Sequence, residues 1–339
     1  MNTLSHTLLH PAHGLGRATA DASIYALPQP TTAQRALARA WLALGLAALA
    51  GSGLYSVLLV LARTPGVNQW FAVADFFRVA LVVHVDLSVG VWFAALAGML
   101  WSLNTTERLQ GWSWAALGLC GSGTVLMALG AFVRPGEAIM ANYIPVLHGP
   151  LFLAGLAVFG LGLGLQVLRS LLAAPRLGGV IDGERALRFG LSASVVCVAV
   201  ALLAFAWALF DVPTKLDLRT YYEIVFWGGG HALQFAWTLL MLVVWLWLAQ
   251  ACGGRIPLSP RIVLLLFLIA LAVPIILWSG IKLSLVTTPE YFSLGVAMAS
   301  EKPWLPLLVF IGGVAAASGT IMVTSLALSS MVLNHMVLP

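Results

Sequence analysis

Residues 72–102 read AVADFFRVALVVHVDLSVGVWFAALAGMLWS, and beyond Arg78 this run carries only two ionisable side chains, His84 and Asp86. About 20 apolar residues cross the ~30 Å hydrocarbon layer of a bilayer as an α-helix, so the segment is long enough to span it. Comparable runs lie near 36–61, 112–133, 145–171, 187–210, 221–250, 262–282 and 304–331, separated by gaps rich in Pro, Gly and charge. The pattern predicts an all-α fold, a polytopic membrane helix bundle of about eight transmembrane helices.

Composition supports the same conclusion. Of 339 residues, 61% are hydrophobic and 9% are charged, against roughly 25% charged in an ordinary soluble domain. The net charge of +5 does not indicate nucleic acid, because the 17 Lys and Arg residues are scattered through loops and helix ends without an interleaved aromatic patch. Cys120, Cys197 and Cys252 are far apart, with no metal-type or paired spacing, and read as inert packing or helix-end residues.

Residues 1–34 contain His6, His10, His13, Pro28 and Pro30 but no long apolar stretch. They lack the apolar region of a signal peptide and read as a mobile cytoplasmic tail ahead of a transmembrane domain over 35–339. A surface metal site at the three histidines competes with plain disorder, the usual state of such tails. Pro274 falls inside the seventh predicted helix and predicts a kink there.

Charge sets the expected orientation. Ten basic residues (Arg17, Arg35, Arg39, Arg108, Arg169, Arg176, Arg185, Arg188, Arg255 and Arg261) fall on the side of the amino terminus, and seven on the other, among most of the acids. The positive-inside rule then puts both termini in the cytoplasm, and the expected location is a bacterial inner (plasma) membrane.

Ionisable groups inside a span are costly and therefore candidates for function. His84 lies about 12 residues into the second predicted helix and His231 about 10 into the sixth, so both sit roughly 15–18 Å from the same face. Two imidazoles at one depth can face one cofactor; haem iron and copper both take neutral imidazole. The plainer alternative is that each hydrogen-bonds a neighbouring helix. His148, in Leu147-His148-Gly149-Pro150, begins the fourth helix and suits an interfacial role. Asp86 points roughly 200° around the helix from His84; pairing with Arg78, pairing with another helix and a proton path all remain open. Gly228, Gly229 and Gly230 precede His231 and predict close approach of something bulky, either a flat cofactor or a packed helix. Glu223 and Gln234 add polarity, with Gln234 on nearly the same face as His231.

Two of these stretches resemble the catalytic subunit of the haem-copper oxidase superfamily, in particular its nitric oxide reductase-like and quinol-oxidising branches. Phe76-Phe77-Arg78-Val79-Ala80-Leu81-Val82-Val83-His84 is similar to that family's second helix, which implies that His84 ligates a haem, expected to be b-type. Phe226-Trp227-Gly228-Gly229-Gly230-His231 is similar to its sixth helix, which implies that His231 ligates copper or a non-haem iron. The tyrosine or glutamate found in the family one turn later is Phe235 here. Gln234, with Glu223, is the candidate for a catalytic role in a divergent site.

The resemblance covers only the first two-thirds of the family fold. After His231 the chain has a single histidine, His335, near its end, so the remaining metal ligands of the family are absent. The implied function is a respiratory membrane subunit passing electrons from a quinol or cytochrome donor to oxygen or nitric oxide. A further membrane subunit would supply the missing histidines, as an oxidoreductase completed by a partner. The alternative is a non-catalytic scaffold or accessory subunit that kept the fold; a transporter ranks third, because no matching pair of interrupted helices is seen.

Overall fold

A computed structural model gives residues 24–280, apart from 72, 74, 176, 177 and 180, with side chains as far as Ile275. Within that stretch the chain forms α1 (Thr32–Arg63), α2 (Phe76–Asn104), α3 (Gln110–Gly130), α4 (Pro150–Leu172), α5 (Gly183–Asp211) and α6 (Leu218–Ala251). All six are long and apolar enough to cross a membrane, and the chain is an integral membrane protein. A further apolar helix, α7 (Pro260–Gly280), runs on through Pro274. The predicted helix near 304–331 lies outside the described residues, as do His6, His10, His13 and His335.

Helix starts follow local chemistry. Thr31 caps α1 through a reciprocal box: its hydroxyl accepts from the Gln34 amide at 3.2 Å, and Gln34 Oε1 accepts from the Thr31 amide at 2.9 Å. Pro150 opens α4, where its missing N–H costs nothing. Asp182 and Asp217 cap α5 and α6 by accepting from the amides of Arg185 and Thr220. Those hydrogen bonds with Thr220 hold the exposed Asp217 carboxyl below the usual carboxylate range.

Part of the segment read as a tail is folded against the bundle. Residues 24–31 form no regular element, and α1 starts at Thr32. Tyr25 is fully buried; its hydroxyl donates to Leu258 O at 2.8 Å, and its amide to Gln250 Oε1 at 3.3 Å. One aromatic between polar and proline-rich stretches has no periodic signal, so this docking was not legible from hydropathy.

Consecutive helices pack as pairs, α1 on α2, α3 on α4 and α5 on α6, with α7 against α5. Lipid tails are as apolar as the side chains they solvate, so close van der Waals fit has to carry helix association. At the first pair a tryptophan from each helix fills a glycine socket on the other. A Cβ on Gly98 would lie 2.5 Å from the Trp41 ring, and one on Gly45 would lie 2.9 Å from Trp92. At the second pair the backbones themselves meet. A Cβ on Gly123 would be 2.6 Å from Gly155 O, and one on Gly155 would be 2.7 Å from Met127 N.

The connection between α3 and α4 folds into a two-stranded antiparallel hairpin, β1 (Ala138–Ile139) and β2 (Val146–Leu147), with Ala138 opposite Leu147 and Ile139 opposite Val146. Its tip reaches α6, as described below. Towards the other end of the bundle, buried Arg169 of α4 donates to Thr105 Oγ1 and to Thr106 O, tying α4 to the end of α2.

Gly155→Val drives a side chain into the α3 backbone and should lower the stability of the detergent-solubilised chain by about 1–3 kcal/mol. Gly160→Ala, on the same helix with open space around it, should leave the melting temperature unchanged. Equal thermal denaturation of the two variants would rule out the backbone contact.

Candidate functional site

His84 sits in α2 two residues before a π-helical turn over Asp86–Val91. The turn widens the helix by one residue, a distortion that recurs at functional positions. The His84 ring turns toward α1. Its Nδ1 lies 3.0 Å from Ser52 O, 2.9 Å from Ser52 Oγ and 3.2 Å from Ser56 Oγ.

Proton placement in this cluster is determined by its acceptors. Ser52 Oγ donates to His84 O at 3.0 Å, and Ser56 Oγ donates to Ser52 O at 3.2 Å. Both hydroxyl protons are therefore used on carbonyls, and the hydroxyl oxygens present lone pairs to the ring. A carbonyl oxygen can only accept, so Nδ1 carries the ring proton. Nε2 is left with its lone pair, and no described residue hydrogen-bonds it. This is the arrangement that metal-ligating histidines use, with one ring N–H held by a backbone carbonyl and the other nitrogen free to coordinate.

His231 is arranged differently. Its Nδ1 donates to Trp227 O, one turn back, at 2.9 Å, and its Nε2 accepts from Tyr143 Oη at 3.0 Å. Tyr143 belongs to the β1–β2 hairpin and stands edge-on to Trp227, with ring centroids 5.5 Å apart. Burial, and next the charge of Glu223, pushes the Tyr143 hydroxyl up to about 12, so it stays a neutral donor throughout the physiological range. Both nitrogens of His231 are occupied.

The glycines before His231 are explained by neighbours on either side. A Cβ on Gly230 would fall 2.1 Å from the Tyr143 ring, and one on Gly229 would fall 2.7 Å from Ala201 O of α5. The bulky groups expected from the sequence are a hairpin tyrosine and a packed helix.

The other candidates join the same hairpin or stand apart. The carboxylate of Glu223 accepts from the Asn142 amide at 3.0 Å and from Asn142 Nδ2, holding the hairpin tip on α6. His148 is exposed, and its Nδ1 is 2.9 Å from Tyr222 Oη. Gln234 is exposed on α6, and its carbonyl accepts from Thr238 Oγ1. Arg78 pairs with Asp75 at 3.2 Å, which removes it as a partner for Asp86.

His84 engages α1 and His231 engages the hairpin, so the two share no partner. Among the described residues no three His, Cys, Asp or Glu side chains gather to hold a metal ion. Ser52, Ser56 and Tyr143 were not singled out from the sequence. The serines had a legible signal, two hydroxyls one helical turn apart in an apolar run; Tyr143 lies 88 positions from His231 in a loop and had none.

Comparison with known proteins adds distant relatives. The chain is 26% identical over 250 residues to an uncharacterized protein of Rickettsia prowazekii, covering 65% of this chain and 48% of that one. It is 30% identical over 212 residues to an uncharacterized protein of Aquifex aeolicus, covering 62% and 53%. The chain thus spans about half the length of the curated relatives it matches. No family model and no solved structure matches it.

The Tyr143–His231 hydrogen bond is testable by a double-mutant cycle. Tyr143→Phe and His231→Ala should each destabilise the chain, with a coupling of about 0.5–1.5 kcal/mol. Strict additivity in thermal unfolding would show that the bond contributes nothing.

Proposed function

We propose that this chain is a haem-binding electron-transfer subunit of a membrane assembly, with His84 as an axial ligand of a b-type haem. One observation carries the reading: an intramembrane imidazole whose Nδ1–H is fixed by a backbone carbonyl and two serines, while Nε2 keeps an unengaged lone pair. Haem held there would supply one-electron transfer. The chain's own part is to fix the tautomer and orientation of His84 through Ser52 and Ser56, and to exclude water with the apolar α1–α2 packing.

The likeness of this stretch to the second helix of haem-copper oxidases supports the same assignment, in a bundle of their subunit I type with about eight spans and both termini cytoplasmic. The electron donor in this reading is a quinol or a cytochrome, and the final acceptor is oxygen or nitric oxide. The copper or non-haem iron site does not fit the residues present. His231 has both nitrogens engaged, Glu223 is committed to Asn142, and exposed Gln234 touches neither. A site of that kind belongs to a partner membrane subunit. The scaffold reading draws on the same observation, since His231 acts here as a clamp for the hairpin.

The test is an oxidised-minus-reduced optical spectrum of the purified chain, with haem quantified by extraction. Wild type should hold haem, His84→Ala should lose it while still inserting, and His231→Ala should keep it. Unchanged haem content in His84→Ala, or colourless wild type reconstituted with excess haem, would overturn the proposal.

A further inference from the structure

At the end of the bundle where α1 and α5 begin and α2 and α4 finish, a cavity of about 230 Å³ lies among Pro28, Gln34, Asn104, Thr106, Pro175 and Arg188. Its walls are held by contacts between elements. Gln34 Nε2 of α1 donates to Thr105 O, and the Thr106 amide donates at 2.9 Å to Ala173 O, just past α4. Pro28 and Gln29, which also lines the cavity, are exposed, so the space is reached from outside the bundle. At ~30 Å³ per water it is larger than a single hydration site. It is smaller than the ~300–1,000 Å³ of a site for a drug-sized molecule, and suits one polar fragment the size of a headgroup.

Two side chains in this wall have hydrogen-bonding capacity that the protein leaves unused. Asn104 is 6% exposed; its Nδ2 donates to Arg188 O at 3.4 Å and to Ser192 Oγ at 3.3 Å, and its Oδ1 has no hydrogen-bond partner. Because Arg188 O can only accept, the amide cannot be turned over, and the unpaired atom is an acceptor. Arg188 Nε lies 3.1 Å from Glu184 Oε1, a partly exposed pair of a kind that contributes little. The terminal nitrogens of Arg188 hydrogen-bond no described residue. A ligand that completes both side chains brings an anion for the guanidinium and a donor for the amide oxygen. The wider charge agrees. Among the described residues, eight arginines and three carboxylates (Glu107, Asp182 and Glu184) lie at this end of the bundle, whereas the opposite end has five basic and five acidic residues.

We propose that this cavity binds the headgroup of an anionic phospholipid whose phosphate is esterified to a hydroxyl-bearing alcohol, as in phosphatidylglycerol. The ends of spanning helices lie at the level of the lipid headgroups, and basic pockets between spans hold anionic ones. The Arg188 guanidinium takes the phosphate oxygens, a match that its planar fork of donors favours. A headgroup hydroxyl donates to Asn104 Oδ1, and the acyl chains stay among the lipid around the bundle. Bound in this way, the headgroup adds a link between α2 and α5 to the one that Asn104 Nδ2 already makes. The inference stands on the cavity and its two side chains and does not require haem at His84.

The experiment is native mass spectrometry of the full chain in detergent, titrated with three probes: phosphatidylglycerol, phosphatidylmethanol, which has the same charge and no headgroup hydroxyl, and soluble glycerol phosphate. Phosphatidylglycerol should bind about tenfold more tightly than phosphatidylmethanol, the worth of one hydrogen bond to an otherwise unpaired acceptor. Arg188→Gln should weaken phosphatidylglycerol by about tenfold or more, and Asn104→Leu should erase its preference over phosphatidylmethanol. Lys215→Gln, which removes an exposed cation at the opposite end of the bundle, should change neither. Equal binding of the two lipids to wild type would overturn the proposal. So would a loss in Arg188→Gln no greater than in Lys215→Gln, which is the behaviour of diffuse charge attraction. Glycerol phosphate competing as well as the lipid would identify a soluble phosphate ester as the ligand and overturn the lipid assignment. If Asn104→Leu fails to fold without its bonds to α5, the two lipids on wild type and the Arg188→Gln titration still decide.

Discussion

A helix in hydrocarbon has no water to satisfy a polar side chain and no hydrophobic force to press it against its neighbour, and the architecture of this chain depends on that double constraint. Helices associate here where side chains are smallest. Gly45 and Gly98 receive Trp92 and Trp41, and Gly123 and Gly155 let two backbones touch. Once helices are this close, serine hydroxyls and backbone carbonyls of one can reach the other. Ser52 of α1 meets His84 of α2 because the tryptophan sockets hold those helices together. The polar site is a consequence of the apolar packing.

Under the same constraint, the two intramembrane histidines show how alike sequence signals separate in space. Both histidines place Nδ1–H on a backbone carbonyl, Ser52 O for one and Trp227 O for the other. They differ at Nε2. At His231 a tyrosine from a loop closes the second nitrogen, and the ring becomes the anchor of a hairpin that also holds Asn142 on Glu223 and His148 on Tyr222. At His84 no described group closes it. Depth along the helix, which made the pair look equivalent, says nothing about what lies opposite each ring.

The spans were legible because hydropathy over 20 or more residues is a strong signal, and predicted helices such as 145–171 and 187–210 lie close to α4 and α5. The membrane class followed from composition alone. What escaped the sequence were features made by contact between distant segments: Tyr25 docking near α7, the hairpin tip on α6, and Arg169, which charge counting placed among loop residues and which is buried between helices. The π turn was equally invisible, because nothing in Asp86-Leu87-Ser88-Val89-Gly90-Val91 marks an extra residue per turn. The run of glycines before His231 signals close approach, and the structure has it at Gly229 and Gly230, but a sequence does not distinguish a cofactor plane from a tyrosine ring.

Among the described residues, the buried polar atoms without a hydrogen-bond partner differ in what they cost. Gln166 is fully buried with its amide unpartnered, but an amide is neutral, and leaving it unpaired costs on the order of 1–3 kcal/mol. Asp86 is a different case, because its group is ionisable and its buried Oδ2 has no hydrogen-bond partner, which is more costly than an unpaired amide. His84 differs again: its Nδ1 meets Ser52 O, Ser52 Oγ and Ser56 Oγ, and no described residue hydrogen-bonds its Nε2. One residue separates these two positions in sequence, and the π turn begins where they meet. The distorted helix thus carries, two residues apart and on opposite sides of α2, an imidazole held through one nitrogen and a buried carboxyl oxygen without a partner.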